Sequence, residues 1–297
     1  MAGLLDARTS GPRRLRELLR GPDPVLAPGA YDAMSALLVE QAGFPAVYMT
    51  GFGTTASLLG RPDIGLLTMS EMTDAARRIV SAVGVPVIAD ADNGYGNAIN
   101  VIRTVHEYEA AGVAAIHLED QPAPKRCGHM DGKKVVPAGT MAGKIEAAVE
   151  ARRDPDFVII ARTDARAVEG FDAALERARL YRDAGADVLF LEALRTDAEI
   201  EAAAAAFPDT PLLFNWAEGG KTPPTDLARL TELGYRLVIF PLSTLLAATT
   251  AVRDVLAEVA AAGTPVDAVR HLPGLDDFFT TVGLPEALDL GKRYDHD

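Results

Sequence analysis

The feature that most constrains the fold of this chain is a repeated unit: an amphipathic helical stretch, a glycine, then a short apolar run ending in polar residues. Its instances are QAGFPAVYMTG, SAVGVPVIADAD, EAAGVAAIHLED, RDAGADVLFLEA and ELGYRLVIFPLS, with glycines at Gly43, Gly84, Gly112, Gly185 and Gly234. A glycine just past a helix supplies the left-handed conformation that ends it, so each unit reads as helix, turn, strand. PVLAPG, DFVIIARTD and TPLLFNWAE fit the strand position without that glycine, the last two after Pro-Asp turns. This makes about eight strands at roughly thirty-residue spacing, with helical patterns between them at 70–83, 97–111, 140–152 and 171–184. Strands that alternate with helices at this spacing are parallel, with right-handed crossovers. Eight of them predict a closed (β/α)8 TIM barrel of the α/β class.

The alternative is an open doubly wound sheet, since GFGTTA at 51–56 is loosely similar to a dinucleotide-binding fingerprint. It follows the second strand, not the first, and a loop that brings its backbone close to a ligand explains the glycines equally well. No Ser/Gly-rich linker interrupts the chain, so residues 1–297 are expected to form a single barrel domain with a C-terminal helical extension. Carboxylates outnumber basic side chains 42 to 29, for a net charge of −13. Nucleic acids and anionic membranes call for the opposite balance, so neither is an expected partner. The single cysteine cannot form an internal disulfide, and no long apolar run suggests a membrane span or signal peptide. A reducing cytoplasm is the expected location.

In a parallel barrel the loops after the strands gather on one face, where catalytic groups collect. The strand ends here supply Thr50 and Gly51, Asp90 and Asp92, Glu119 and Asp120, Arg162 and Asp164, Glu192, Asn215 and Glu218, and Ser243. Carboxylates ending several strands form a like-charge cluster that a cation would relieve. Asp90 and Asp92, at i and i+2, would share one face of a strand, and with Glu119 they make an all-oxygen set suited to Mg2+ or Mn2+. A solvated acidic rim is the other reading. Zinc is disfavoured because no histidine or cysteine pair has ligand spacing.

Directly after HLEDQ comes PKRCGH, Pro124 to His129. A lone cysteine is usually a small buried hydrophobe. Cys127, however, lies between Lys125, Arg126 and His129, beside Gly128, and that setting is expected to lower its pKa and make it a nucleophile or an acid/base. Gly132, Lys133 and Lys134 mark the segment as a mobile lid.

PGAYDAMSA, YMTGFGTTAS, PDIG, DADNGYGN, HLEDQPAPKRCGHMDGK, IIARTDA, FLEA, NWAEGGKTP and PLS, in this order, resemble the isocitrate lyase and phosphoenolpyruvate mutase superfamily over nearly the whole chain. The resemblance implies a barrel with its eighth helix swapped between subunits, a homotetramer built as a dimer of dimers, and Mg2+-dependent chemistry on 2-oxo or 2-hydroxy dicarboxylates. It implies metal-site roles for Asp90 and Asp92, with Asp63 and Glu119 in the water-mediated shell. Thr50, Gly51 and Phe52 would cradle the α-keto-acid carboxylate, Thr50 standing where the family often has Ser. Arg162 would clamp the substrate, Glu192 would act as base or orienting group, and Asn215 would touch the second carboxylate. Cys127 would protonate the leaving carbanion, with Lys125, Gly128 and His129 around it and Tyr48 as an alternative proton-transfer group.

Such chemistry is coherent. Removal of the 2-hydroxyl proton lets the C2–C3 bond break to an α-keto acid, and the electrons left on C3 need cationic stabilisation and then a proton. Methylisocitrate lyases resemble this chain but carry arginines for a third carboxylate where Leu246 and Leu275 stand here. A branched malate such as 2,3-dimethylmalate therefore suits the chain better. A carboxyphosphonoenolpyruvate phosphonomutase, an oxaloacetate decarboxylase and a catalytically inert scaffold on the same barrel are the alternatives.

Overall fold

The computed structural model describes residues 3–5 and 11–295. They divide into two compact units, with the boundary between Leu245 and Leu246. In the first unit, eight parallel strands close into a barrel in sequence order: β1 (Val25–Ala30), β2 (Val47–Met49), β3 (Val87–Asp90), β4 (Ala115–Glu119), β5 (Val158–Thr163), β6 (Val188–Leu191), β7 (Leu212–Asn215) and β8 (Tyr235–Phe240). β8 pairs in parallel with β1, Leu26 opposite Val238, so no open edge remains. The fold is thus the (β/α)8 barrel, and the open sheet is excluded.

The local signals explain the elements. The helices at Met69–Ala82, Ala98–Ala111, Ala138–Ala151 and Phe171–Asp183 match the expected positions to within two residues. Thr68 and Glu71 form a capping box at the first, and Asn97 with Asn100 does the same at the second, satisfying N–H groups that have no intrahelical partner. Gly43, Gly112, Gly185 and Gly234 have the left-handed φ that ends a helix. Gly84 does not: its helix stops in the extended conformation of Val83, so that glycine has no capping role.

Apart from a register shift where β7 meets β8, side chains along the strands alternate between two hydrophobic clusters. On β5, Val158 and Ile160 join Ile88, Phe190, Leu213, Leu237 and Ile239 inside the barrel, whereas Phe157, Ile159 and Ala161 face the surrounding helices. Leu15 and Leu19 of the N-terminal helix (Gly11–Leu19) belong to the inner cluster. The period of two, carried one step further along each strand, puts Thr50, Asp90, Glu119, Arg162, Glu192 and Asn215 in the topmost inward layer.

The second unit comprises most of the helix Ser243–Ala262, a 3-10 turn at Ala268–His271, and the helices Leu275–Thr281 and Leu284–Tyr294. Residues 3–5 group with it, the Leu4 N–H donating to Glu286 at 2.8 Å. None of these helices buries a side chain, and Val252, Leu256, Leu275, Phe278 and Leu288 are exposed. Among the described residues, no helix is long and apolar enough to cross a membrane.

Where β1 and β8 meet, a Cβ on Gly29 would lie 2.6 Å from the Pro241 carbonyl oxygen and 2.9 Å from that of Phe240. Backbone cannot yield as a side chain can, so Gly29→Ala is expected to cost about 2 kcal/mol or more. Calorimetry should report a melting temperature lower by about 4 °C or more. An unchanged transition would contradict the closed β8–β1 seam.

Candidate active site

The topmost inward layer opens into a cleft lined by polar groups on one side, among them Thr50, Asp63, Asp90, Glu119, Lys125 and Cys127, with His129, Arg162, Glu192 and Asn215 beside them. Phe52, Phe190, Ala217, Ile239, Pro241 and Leu242 form the apolar wall. Nearly all the proposed site residues therefore converge. Gly51 sits directly behind the cleft, its N–H donating to Asp90 at 3.2 Å, and a Cβ there would overlap that carboxylate. Thr50 caps the helix Gly51–Leu59 through its side chain and accepts from the Gly53 N–H. No hydrogen bond engages the Phe52 N–H, so of the three-residue cradle it is the donor left for an anion at this helix start.

Asp92 corrects the spacing argument. It does not share a strand face with Asp90, because β3 ends at Asp90 and Asp92 sits beyond it in a left-handed turn with φ 46°. Its backbone N–H donates to Asp90 at 2.9 Å, and its carboxylate lies 2.7 Å from the Lys125 ammonium. That ammonium also holds Asp63 at 2.7 Å. Burial, opposed by Lys125 and reinforced by Asp90 and Asp63, pushes the Asp92 carboxyl up to about 6. Burial likewise pushes Glu119 well above the carboxylate range, with Arg162 and Lys125 opposing it. Glu119 Oε1 has no hydrogen-bond partner.

These residues fit a hard divalent ion by their donor chemistry. Asp63, Asp90, Asp92, Glu119, Asp120, Asp164 and Glu192 are all buried, against the buried cations Lys125, Lys133, Lys144, Arg162 and Arg177, which leaves more carboxylates than cations. Among the described residues, no three acidic, histidine or cysteine side chains are arranged to cage an ion directly.

Arg162 grips Asp164 through Nε and Nη2 at 3.0 and 3.2 Å. It lies over the Phe190 ring at 5.1 Å and within 3.5 Å of Glu119 and 3.8 Å of Glu192. Burial opposes the charge on Asp164, but Arg162 and Lys133 overcome that and hold it down at about 2. On the far side, Asn215 donates to Glu192 at 3.2 Å. His129 Nδ1 accepts from the Lys221 N–H at 3.3 Å, and its Nε2 lies 3.5 Å from Asn215 Nδ2 and 3.3 Å from Glu192 Oε1. That approach lacks hydrogen-bond alignment and leaves Oε1 without a donor.

The expected lowering of the Cys127 pKa is overturned. Burial pushes the thiol up, and Asp63 and Glu192 add to it, against a backbone hydrogen bond from His129 and the charge of Arg162. The sequence neighbours do not help: the Lys125 ammonium turns to Asp63 and Asp92, and the Arg126 guanidinium to the Asp131 carbonyl. A protonated thiol is a proton donor, not a nucleophile, at neutral pH.

Sequence reasoning gave no role to His117, which is fully buried two residues before Glu119. Its Nε2 is 2.7 Å from the Tyr48 hydroxyl and 3.4 Å from Asp90. Burial lowers the imidazole to about 4 and raises the Tyr48 phenol well above its usual range, so both stay neutral. The inward period of two from Glu119 was the signal that could have found it.

The family model for phosphoenolpyruvate phosphomutase matches residues 15–260. A 2,3-dimethylmalate lyase of Eubacterium barkeri is 47% identical over 281 residues, covering 95% of this chain and 97% of that protein. A 2-methylisocitrate lyase of Aeropyrum pernix is 48% identical over 269 residues, covering 91% and 86%. The solved structure of an oxaloacetate acetylhydrolase with the inhibitor 3,3-difluorooxalacetate superposes with a TM-score of 0.91 at 40% identity, over 98% of this chain and 100% of that one. The chain belongs to the phosphoenolpyruvate mutase/isocitrate lyase superfamily and is an enzyme of the lyase type named among its relatives.

Because the Cys127 thiol is pushed up, its alkylation by iodoacetamide should follow a pH profile displaced to higher pH than that of a free cysteine peptide. A profile at or below the peptide's would mean that the thiol is activated in the folded protein.

Proposed function

We propose that this protein is a Mg2+-dependent carbon–carbon lyase that cleaves a branched 2-hydroxy dicarboxylate of the 2,3-dimethylmalate type into pyruvate and a short carboxylic acid. The observation that carries the substrate class is the division of the cleft: its cations are Lys125 and Arg162, with His129 beside them, while Ile239, Pro241, Leu242 and Ala217 line the wall after β7 and β8. Two carboxylates find partners there and methyl groups find apolar surface. A third carboxylate against that wall would cost several kcal/mol for want of a cation. Leu246 and Leu275 belong to the second unit, and both are exposed.

In this reading Arg162 binds one substrate carboxylate while Asp164 holds its guanidinium in place, and the Phe52 N–H with Thr50 and Gly51 receives the keto-acid end. Glu192, whose Oε1 has no donor, takes the 2-hydroxyl proton, with Tyr48 as the second group able to serve. Asn215 orients Glu192 by donating to its other oxygen, Oε2. The C2–C3 bond then breaks, its electrons remain on C3 of the departing acid, and the Cys127 S–H, kept protonated by burial, delivers the proton there. An ion held by Asp90 and Asp92, with Asp63 and Glu119 around its water shell, would acidify the hydroxyl and offset the buried carboxylate charge. The relative named 2,3-dimethylmalate lyase supports the same substrate, and the one named 2-methylisocitrate lyase supports the tricarboxylate as the second reading.

The unburied apolar side chains of the second unit support assembly with further copies of the chain, and the dimer of dimers with an exchanged helix is the form that the family resemblance implies. Cytoplasmic placement fits the single cysteine.

Incubation with Mg2+ and a panel of 2-alkylmalates, methylisocitrate and oxaloacetate should release pyruvate fastest from 2,3-dimethylmalate. EDTA should abolish that release, and Mg2+ or Mn2+ should restore it. Higher efficiency on methylisocitrate would overturn the substrate assignment, and full activity in EDTA the metal. Cys127→Ser should keep substrate affinity yet lose turnover by about a hundredfold or more. An unchanged kcat would remove the thiol from the reaction.

A further inference from the structure

Lys133 lies beyond the cleft lining, yet its ammonium is fully enclosed, the side chain being 1% exposed. It makes two bonds. One reaches Asp164 at 2.6 Å, and the other makes a short contact with the carbonyl oxygen of Gly128, in the segment that carries Cys127. Asp164 in turn accepts from both Nε and Nη2 along one edge of the Arg162 guanidinium. A chain of charge-assisted bonds therefore runs from the Gly128 backbone through Lys133 and Asp164 to Arg162.

Lys125, two residues before Cys127, is also a buried tie, but its partners are Asp63 and Asp92 and not the Asp164 that holds Arg162, and the remaining ties on this segment are weaker or farther out. Lys221 pairs with Asp131, whose side chain is 95% exposed, and exposed pairs contribute little. Arg126 reaches only the exposed Asp131 carbonyl, and Gln121 closes a local ring with the Arg126 backbone. Gly128 itself packs so closely that a Cβ would sit 2.4 Å from Arg162 Nη2 and 2.7 Å from Glu192 Cδ. The segment and the guanidinium thus have one mutual position, and Lys133 is the buried charge that bonds to both sides of it.

We propose that Lys133 is a positioning residue that couples the Cys127–Gly128–His129 segment to Arg162, so that the proton donor and the anion clamp are set in place together. Without its ammonium, the Gly128 carbonyl loses a buried donor and Asp164 loses one of its two cations, and both the segment and the guanidinium are released. The inference rests on the reading of Arg162 as the anion clamp and Cys127 as the donor. Its test is therefore chosen to be independent of which substrate is turned over.

Cys127 is the chain's single cysteine, so alkylation by iodoacetamide reports this segment alone. Oxalate with Mg2+, a small planar dianion, reports Arg162, and oxalate is the product bound in a solved structure of the oxaloacetate acetylhydrolase. In the full-length protein, Lys133→Met is expected to raise the alkylation rate and weaken calorimetric oxalate affinity, each by about tenfold. Lys133→Arg should recover most of both effects, and Lys221→Met, which removes only the exposed pair, should shift neither by more than about twofold. In turnover, Lys133→Met should lower kcat and raise KM together. Unchanged alkylation and oxalate affinity would overturn the proposal, whatever the melting temperature does. A faster thiol with unchanged oxalate affinity would overturn the coupling. If Lys133→Met does not fold, Lys133→Gln, which keeps a neutral donor, is judged by the same two readouts.

Discussion

Carboxylates buried together at one end of a barrel are tolerable only if cations stand among them, and the upper part of this molecule is arranged around that requirement. Lys125 spans Asp63 and Asp92, Arg162 serves Asp164 while lying near Glu119 and Glu192, and Lys133 completes Asp164. Isolated buried charges of this kind would each cost several kcal/mol, so removing one partner leaves the others in deficit. The remaining imbalance, with Glu119 Oε1 unpartnered and Asp92 pushed up to about 6, is the physical case for a divalent ion.

The barrel was legible because its signals are local and repeat. Helix-ending glycines, Pro-Asp turns and apolar runs at regular spacing located the strands and helices. Gly84 shows the limit, since the same dipeptide pattern there ends a helix without a left-handed residue. The rim was legible for a related reason: a strand's last inward position lies two residues beyond its last inward apolar one, as Arg162 follows Ile160 and Glu192 follows Phe190.

What sequence proximity misjudged was charge. Lys125, Arg126 and His129 flank Cys127 along the chain, but their charged atoms are drawn to Asp63, Asp92, Asp131 and the Glu192 side, so burial decides the thiol's proton. The shared strand face expected for Asp90 and Asp92 was lost for a different reason, because the strand stops at Asp90. His117 and Lys133 stayed without a role because the partners that define them, Tyr48 and Asp164, arrive from distant segments. A long flexible side chain such as lysine can reach partners on several elements, and only the folded chain selects among them.

The alternation along the strands has a consequence for how such a protein can diverge. Ile88, Ile160, Phe190 and Leu213 form a packed layer directly beneath Asp90, Arg162, Glu192 and Asn215. A substitution in the lower layer opens a cavity in the barrel and is paid in stability, whereas one in the upper layer alters the ligand that the cleft accepts while the strands beneath stay packed. Two residues along one strand thus separate a position that packs the barrel from one that meets the ligand.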